Sequence, residues 1–251
     1  FPDDMIAPYG EKPMATDYLL HEICHARYLP DNYGFSIYHN TNNSRVNISE
    51  NGKSIVGSFL ATQEWTFNGV SGYKVYDSKE GDLMSTIGSS PKLYLGEYSK
   101  LILNTLAHER PTLANWNYPP DGSKFLNLIP EHNVVKVIDF SGSPLGGATV
   151  SIYQSTHPMG QVLGIYAMEF DNVPDLQFVT NSNGEVDFGD ECFAKKGKVI
   201  HSLNYSNGAI IIRIEHQGKV DYRVMQVTDF NVEFMKGNKA LASYTLRVTL
   251  R

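Results

Sequence analysis

VVKVIDFSGSPLGGATVSIY, residues 134–153, holds two β-branched runs, Val134–Phe140 and Ala148–Tyr153, around the turn Ser141-Gly142-Ser143-Pro144. Branched side chains favour the pleated backbone, whereas Gly and Pro set the dihedrals of turns. Similar runs continue downstream at Gly164–Phe170, Gln177–Thr180, Ala209–His216, Val220–Val227 and Ser243–Leu250. Asn183-Gly184, Asn207-Gly208, Gln217-Gly218 and Lys236-Gly237-Asn238 supply the turns between them. About seven short strands at this spacing describe a sandwich of two sheets, and no helix of useful length is expected among them.

Upstream the texture changes. Residues 111–132 contain Pro111, Pro119, Pro120, Gly122 and Pro130, with Trp116, Tyr118 and Phe125 between them, so an extended, packed connection is expected. The domain boundary is placed near Glu131, giving units of 1–130 and 131–251. Before it, Glu97 to Glu109 reads as an amphipathic helix with Tyr98, Leu101, Ile102, Thr105 and Leu106 on one side, closed by Pro111. Residues 35–80 read as irregular and β-rich, with a hairpin at Asn51-Gly52. YLLHEICHARY, residues 18–28, has helical spacing; Thr16-Asp17 offers an N-cap, and Leu29-Pro30 ends the segment. The fold class is α+β.

The chain has 251 residues, a formal net charge of -6 and 19% charged residues. An acidic balance with no basic run beyond Lys195-Lys196-Gly197-Lys198 argues against nucleic acid, since phosphate binding needs clustered cations. The most apolar runs, 99–107 and 209–214, are far short of the roughly 20 residues of a membrane span. Cys24 and Cys192 are too few for a disulfide framework and read as buried thiols. Abundant Tyr, Asn, Ser and Gly, with a first residue Phe1 rather than Met, lead to the expectation of a processed protein, secreted or held at the cell surface. The oligomeric state is not encoded in any of these features.

His21-Glu22-Ile23-Cys24-His25 is where the chemistry concentrates. Helix positions i and i+4 share a face, so both imidazoles can hold one Zn²⁺, and Glu22 between them can take a proton from an attacking water. Leu19 and Leu20 just before the motif suggest a helix buried under a cleft, and Cys24 points off the histidine face. Asp31, just past the expected helix end, is the candidate third ligand; a turn residue in Pro30-Asp31-Asn32 is the other reading. His39, Glu50 and Glu64 are substitutes. Asp171, Asp175, Asp187 and Asp190 offer oxygens of the kind Ca²⁺ takes, but without ordered spacing they read as turn residues.

HEICHARYLPDNYG resembles the extended zinc motif of the immune inhibitor A-type secreted metallopeptidases, with Leu29, Pro30, Asp31 and Tyr33 at the matching places. More broadly it resembles metzincins, and Gly81-Asp82-Leu83-Met84-Ser85-Thr86 looks like their methionine turn, which would set Met84 beneath the metal. Two residues differ from that pattern: Tyr28 stands where a glycine is usual, and Thr86 where a tyrosine is. Tyr33 is then the candidate transition-state tyrosine. The resemblance covers residues 14–106 loosely and 21–33 specifically. Zincins carry a sheet ahead of this helix, and only 20 residues precede His21, so a fragment, a processed form or a reduced catalytic lobe is expected. The stretch 134–153 together with FVTNSNGEVDF (178–188) resembles bacterial Ig-like or carboxypeptidase-regulatory (transthyretin-like) sandwiches, through Gly142, Pro144, Leu145, Gly147, Ala148, Thr180 and Gly184.

These resemblances imply a zincin-like helical, irregular lobe followed by an all-β Ig-like accessory domain. The implied activity is zinc-dependent hydrolysis of extracellular protein or peptide, with Glu22 as general base. Two other readings stand beside it. One is an adhesin or binding protein with a degenerate zincin lobe; the other is a structural extracellular protein carrying the motif by chance.

Overall fold

The computed structural model describes residues 14–27, 29, 32, 35–38, 45–60, 63–67, 70–76, 82–84, 94–107, 128–155, 168–190 and 208–251. In chain order these form α1 (Met14–His25), β1 (Phe35–Tyr38), β2 (Arg45–Val46), β3 (Ser49–Glu50), β4 (Lys53–Ser54), β5 (Gln63–Phe67), β6 (Val70–Tyr76) and α2 (Glu97–Thr105). Then follow β7 (His132–Ile138), β8 (Thr149–Gln154), β9 (Glu169–Phe170), β10 (Leu176–Val179), β11 (Glu185–Asp187), β12 (Ala209–His216) and β13 (Lys219–Gln226). The last elements are α3 (Val227–Met235) and β14 (Leu241–Arg247). The arrangement is α+β.

Two sheets face each other over the largest core. One is antiparallel in the order β10-β8-β12-β13; the other runs β11-β7-β14, with β14 parallel to β7. Val135 and Val137 from β7 meet Val150 and Ile152 from β8 and Ile210 and Ile212 from β12, all with almost no exposure. Each such side chain contributes about 1.5–3 kcal/mol of burial. The run Ala209–Ile212 is apolar at every position because its sheet is covered on both faces. Ile210 and Ile212 face the first core, and Ala209 and Ile211 face a second.

That second core joins the two ends of the sequence. Ile37, Val46, Ile48 and Ile55 pack on Ile211, Phe170 and Tyr222. β2 pairs in parallel with β9, Arg45 opposite Glu169. The β3–β4 hairpin turns through Asn51 (φ 50) and Gly52 (φ 75), the left-handed pair that a two-residue hairpin demands. It delivers Glu50 to Arg213, whose Nε and Nη2 donate to the carboxylate at 2.7 and 3.1 Å, while the Tyr222 hydroxyl donates at 2.7 Å. The bonded Arg213 guanidinium holds the Glu50 carboxyl below its usual range. Burial, followed by the bond to Glu50, raises the Tyr222 phenol. β1, β6 and β5 form a separate antiparallel sheet in that order.

The turn residues singled out in the sequence meet in space. Thr180 Oγ1 donates to Leu145 O at 2.5 Å and accepts from Ala148 N–H at 2.9 Å, so it ties the Pro-Leu-Gly-Gly-Ala turn to the following hairpin. Gly184 (φ +74) lies so close to that turn that a Cβ would stand 2.5 Å from Val137 O.

Several expectations need correction. A helix does occur after residue 131: α3 places Phe230 in the first core and Val232 in a third, so tertiary packing overrides the local preference of a Val- and Phe-rich segment. α1 begins at Met14, which puts Thr16 and Asp17 inside it rather than at its cap, and it ends at His25 rather than Tyr28. Leu19, Leu20 and Ile23 are 42%, 42% and 51% exposed, not buried under a cleft, because α1 turns its His21 side inward; Cys24, expected to point off the histidine face, lies inward with His21. Thr105 is exposed and bonds back to Leu101 O, and Ser99 is buried in its stead. No helix among the described residues is long and apolar enough to cross a membrane.

Candidate metal centre

His21, Glu22 and His25 lie together at the end of α1, with their potential ligand atoms all within 4.8 Å of one another. The two rings are 4.8 Å apart, centre to centre, at an interplanar angle of 88°. His21 is buried, His25 half-buried and Glu22 exposed. His21 Nδ1 donates to Leu83 O at 2.8 Å, and His25 Nδ1 donates to Leu29 O at 2.7 Å. A carbonyl can only accept, so each Nδ1 carries a proton, and Nε2 is the ring nitrogen that a metal would use. Tethering one ring nitrogen to a backbone carbonyl is how proteins orient a histidine for a cation.

Local folding supplies both carbonyls. At the end of α1, Cys24 O accepts the N–H groups of Arg27 (2.9 Å) and Leu29 (3.2 Å), and the second of these bonds reverses the chain in the manner of a helix C-cap. The reversal brings fully buried Leu29 back to His25. Leu83 belongs to a turn pinned from two sides: Asp82 Oδ1 accepts Met84 N–H at 3.1 Å, and Leu83 N–H bonds Tyr94 O at 2.8 Å. Asp82 is itself held by Ser99 Oγ, 3.2 and 3.1 Å from its two oxygens. A side chain at Gly96, which caps α2, would put its Cβ 2.3 Å from Asp82 Oδ2, so a larger residue there would push the Asp82 carboxylate aside.

Met84 is fully buried with Leu29, Tyr98, Ile102 and Val232, the third core, and Cys24 packs against them. Burial, and secondarily the charge of Asp82, raises the Cys24 thiol, which keeps it protonated and a poor ligand. Met84 O accepts Asn32 N–H at 2.8 Å, so the chain just past the helix is fastened to the same turn. Tyr98 Oη and Asn231 Oδ1 are 3.5 Å apart, and Asn231 Nδ2 donates to Leu128 O at 2.9 Å, which draws α3 into the same frame.

Asp31, Tyr33, Tyr28, His39 and Thr86 lie outside the described residues. Glu50 is removed from consideration as a ligand by its bonds to Arg213 and Tyr222. Glu64 is an exposed residue of β5. Asp171, Asp175 and Asp187 direct oxygens to the backbone N–H groups of Val173, Gln154 and Gly189. Among the described residues, only His21, Glu22 and His25 form a group of three that could hold a metal ion. The residues that sequence reasoning passed over are Asp82, Ser99 and the carbonyls of Leu29 and Leu83. An Asp two residues before the methionine was the one available sign, because Asp bonds the backbone two residues on.

No family model and no curated protein sequence matches the chain. Among solved structures, (S)-allantoin synthase matches with 11% identity and a TM-score of 0.25, over 50% of this chain and 43% of that one. Catechol 1,2-dioxygenase from Pseudomonas arvilla C-1 matches with 14% identity and a TM-score of 0.23, over 47% and 51% respectively. A 9R-lipoxygenase from Cyanothece PCC8801 matches with 13% identity and a TM-score of 0.23, over 63% and 21%. The matched part is thus about half or less of each of those proteins. Superposition this slight carries no argument about the fold or chemistry of this chain.

Proposed function

We propose that the chain is a zinc-dependent endopeptidase acting on extracellular protein or peptide. The observation that carries this reading is the pair of imidazoles one helical turn apart, each tethered through Nδ1 to a backbone carbonyl, with the Glu22 carboxylate beside them. In this reading residues 1–130 form a zincin-like lobe of the immune inhibitor A type. Residues 131–251 form an Ig-like (transthyretin-like) sandwich, and the two are joined through the second and third cores.

His21 and His25 would hold the ion through Nε2, with Asp31 as the proposed third ligand. Asp31 lies two residues after Leu29, whose carbonyl bonds His25, and just before Asn32, whose N–H bonds Met84 O. Met84, next to Leu83 whose carbonyl bonds His21, would be the methionine-turn residue of the site. Bound zinc supplies Lewis acidity, polarising the scissile carbonyl and acidifying an attacking water. Glu22 accepts the proton of that water and passes it to the departing amine nitrogen. Tyr33 is assigned to the stabilisation of the developing oxyanion. Two imidazoles and a carboxylate also suit iron(II), but an adjacent second carboxylate placed for proton transfer favours hydrolysis.

Metal analysis and proteolysis of the purified chain test this together. About one zinc per chain, lost in His25→Ala, is expected. Glu22→Gln should keep the zinc and lose roughly 10²–10⁴-fold in peptide hydrolysis. Undiminished proteolysis by Glu22→Gln would exclude the mechanism, and stoichiometric iron would change the chemistry. Metal-free protein that binds a surface ligand would favour an adhesin.

A further inference from the structure

The two histidine tethers differ in reach. His25 bonds Leu29 O, and Leu29 is returned to it by its own N–H bond to Cys24 O, so that tether closes within the end of α1. His21 bonds Leu83 O, 62 residues away, so its orientation depends on whatever holds the Leu83 turn. The turn is held by α2: Ser99 donates to the Asp82 carboxylate, which accepts Met84 N–H, and Gly96 lies against the same carboxylate.

α2 has only nine residues, too few to keep its place by helix propensity alone, so its position comes from its packing. Among the described elements its principal neighbour is α3, from the C-terminal part of the chain. Tyr98 and Ile102 share the third core with Val232. The Tyr98 hydroxyl faces Asn231 Oδ1 at 3.5 Å, and Asn231 Nδ2 donates to Leu128 O at 2.9 Å. Lys236 Nζ also lies 3.1 Å from Glu97 at the start of α2. That ion pair is solvated and adds little. Asn231 and Tyr98 are 0% and 3% exposed, so polar contacts between them are not readily exchanged for contacts with water, and they decide how α2 sits.

We infer that α3 governs how His21 is presented, with Asn231 as a positioning residue that acts through α2 and the Leu83 turn, while His25 is set locally at the end of α1. The helix that follows β13 thus controls one imidazole of the pair and not the other, and both rings are presented together only while α3 is seated. The bearing of this on zinc rests on the metallopeptidase reading; the coupling itself is a property of the metal-free rings.

Imidazole nitrogen–proton correlation spectra of the metal-free chain, at about pH 8.5 and so above the ordinary histidine value of about 6.5, report which ring nitrogen carries the proton. The unaltered chain should show Nδ1–H at both rings. Asn231→Leu keeps a branched side chain of similar shape but removes both polar contacts. At His21 the ratio of Nδ1–H to Nε2–H should then fall roughly three- to tenfold, the worth of about one hydrogen bond, and at His25 it should stay within about twofold. If that variant does not fold, Tyr98→Phe removes the hydroxyl alone and should shift His21 in the same direction by a smaller factor. Thr180→Val disturbs the Leu145–Ala148 turn and no residue of α3, and should move neither ring. An unmoved His21 in folded Asn231→Leu, or in Tyr98→Phe where the first variant does not fold, overturns the inference. Equal changes at both rings overturn it too, since they mark general loosening. Zinc titration of the same samples separates the two claims. Selective change at His21 in a chain that takes up no zinc removes the metallopeptidase reading and upholds the coupling, whereas stoichiometric zinc with His21 unmoved removes the coupling alone.

Discussion

Removing the Asp82 carboxylate should loosen the candidate metal centre without touching any proposed ligand. Asp82 is 2% exposed and accepts from the Met84 N–H and the Ser99 hydroxyl, the latter on a residue 1% exposed. In Asp82→Ala both donors lose this acceptor in a buried setting, at roughly 1–3 kcal/mol each. A total of about 3 kcal/mol is expected, and at roughly 2–4 °C per kcal/mol the melting temperature should fall by about 6–12 °C. The same turn carries Leu83 O, which orients His21. Losing such support typically weakens a metal site 10–100-fold, roughly 1.4–2.7 kcal/mol. Asp82→Asn keeps an acceptor of the same shape and should show a smaller loss of both quantities. The assay pairs thermal melting of the apo protein with zinc affinity measured against a competing chelator. Zinc affinity within twofold of the unaltered chain, in a variant that is clearly destabilised, would refute the claim that Asp82 holds the histidine's carbonyl in place.

Other perturbations test the frame around the site. Thr180→Val keeps the volume but strands the Ala148 N–H, and should cost about 1–3 kcal/mol in urea unfolding. Gly147→Ala and Gly184→Ala separate backbone strain from collision, since both glycines have φ near +75 but only Gly184 has atoms within reach of a new Cβ. The first should cost about 1 kcal/mol and the second about 3 or more, compared by denaturant midpoints. The Glu50 carboxyl is lowered in the fold, first by its bond to Arg213. Its stabilisation is therefore complete above the unfolded value of about 4.3 and is lost as pH falls through the folded value. Urea midpoints measured from pH 7 down to pH 3 should fall at the acid end, and Glu50→Gln should flatten that limb while lowering the neutral plateau.

What the sequence disclosed was local. Asn51-Gly52, Gln217-Gly218 and the apolar run Ala209–Ile212 announce themselves because two-residue turns and unbroken apolar stretches have compositional signatures. His21, Glu22 and His25 were legible because one helical turn suffices to bring them together. What stayed hidden depends on partners far along the chain. β2 and β9 are two residues each and are strands only because they pair with each other. α3 is a nine-residue helix whose Phe230 and Val232 answer to two different cores, so neither a clean helical stripe nor strand alternation survives in its sequence. The carbonyls of Leu29 and Leu83 have no identity in a sequence at all, since every residue owns one.

The third core has a temporal consequence. Leu29, whose carbonyl bonds His25, shares that core with Met84 and Val232, and Asn231 reaches Leu128 beside them. Ribosomes add roughly 5–20 residues per second, so α1 emerges roughly 10–40 seconds before Val232 is made. Throughout that interval His21 and His25 exist on the nascent chain without their finished scaffold. The candidate centre therefore cannot take its finished form until α3 has left the ribosome, so its assembly follows synthesis of the sandwich rather than of α1.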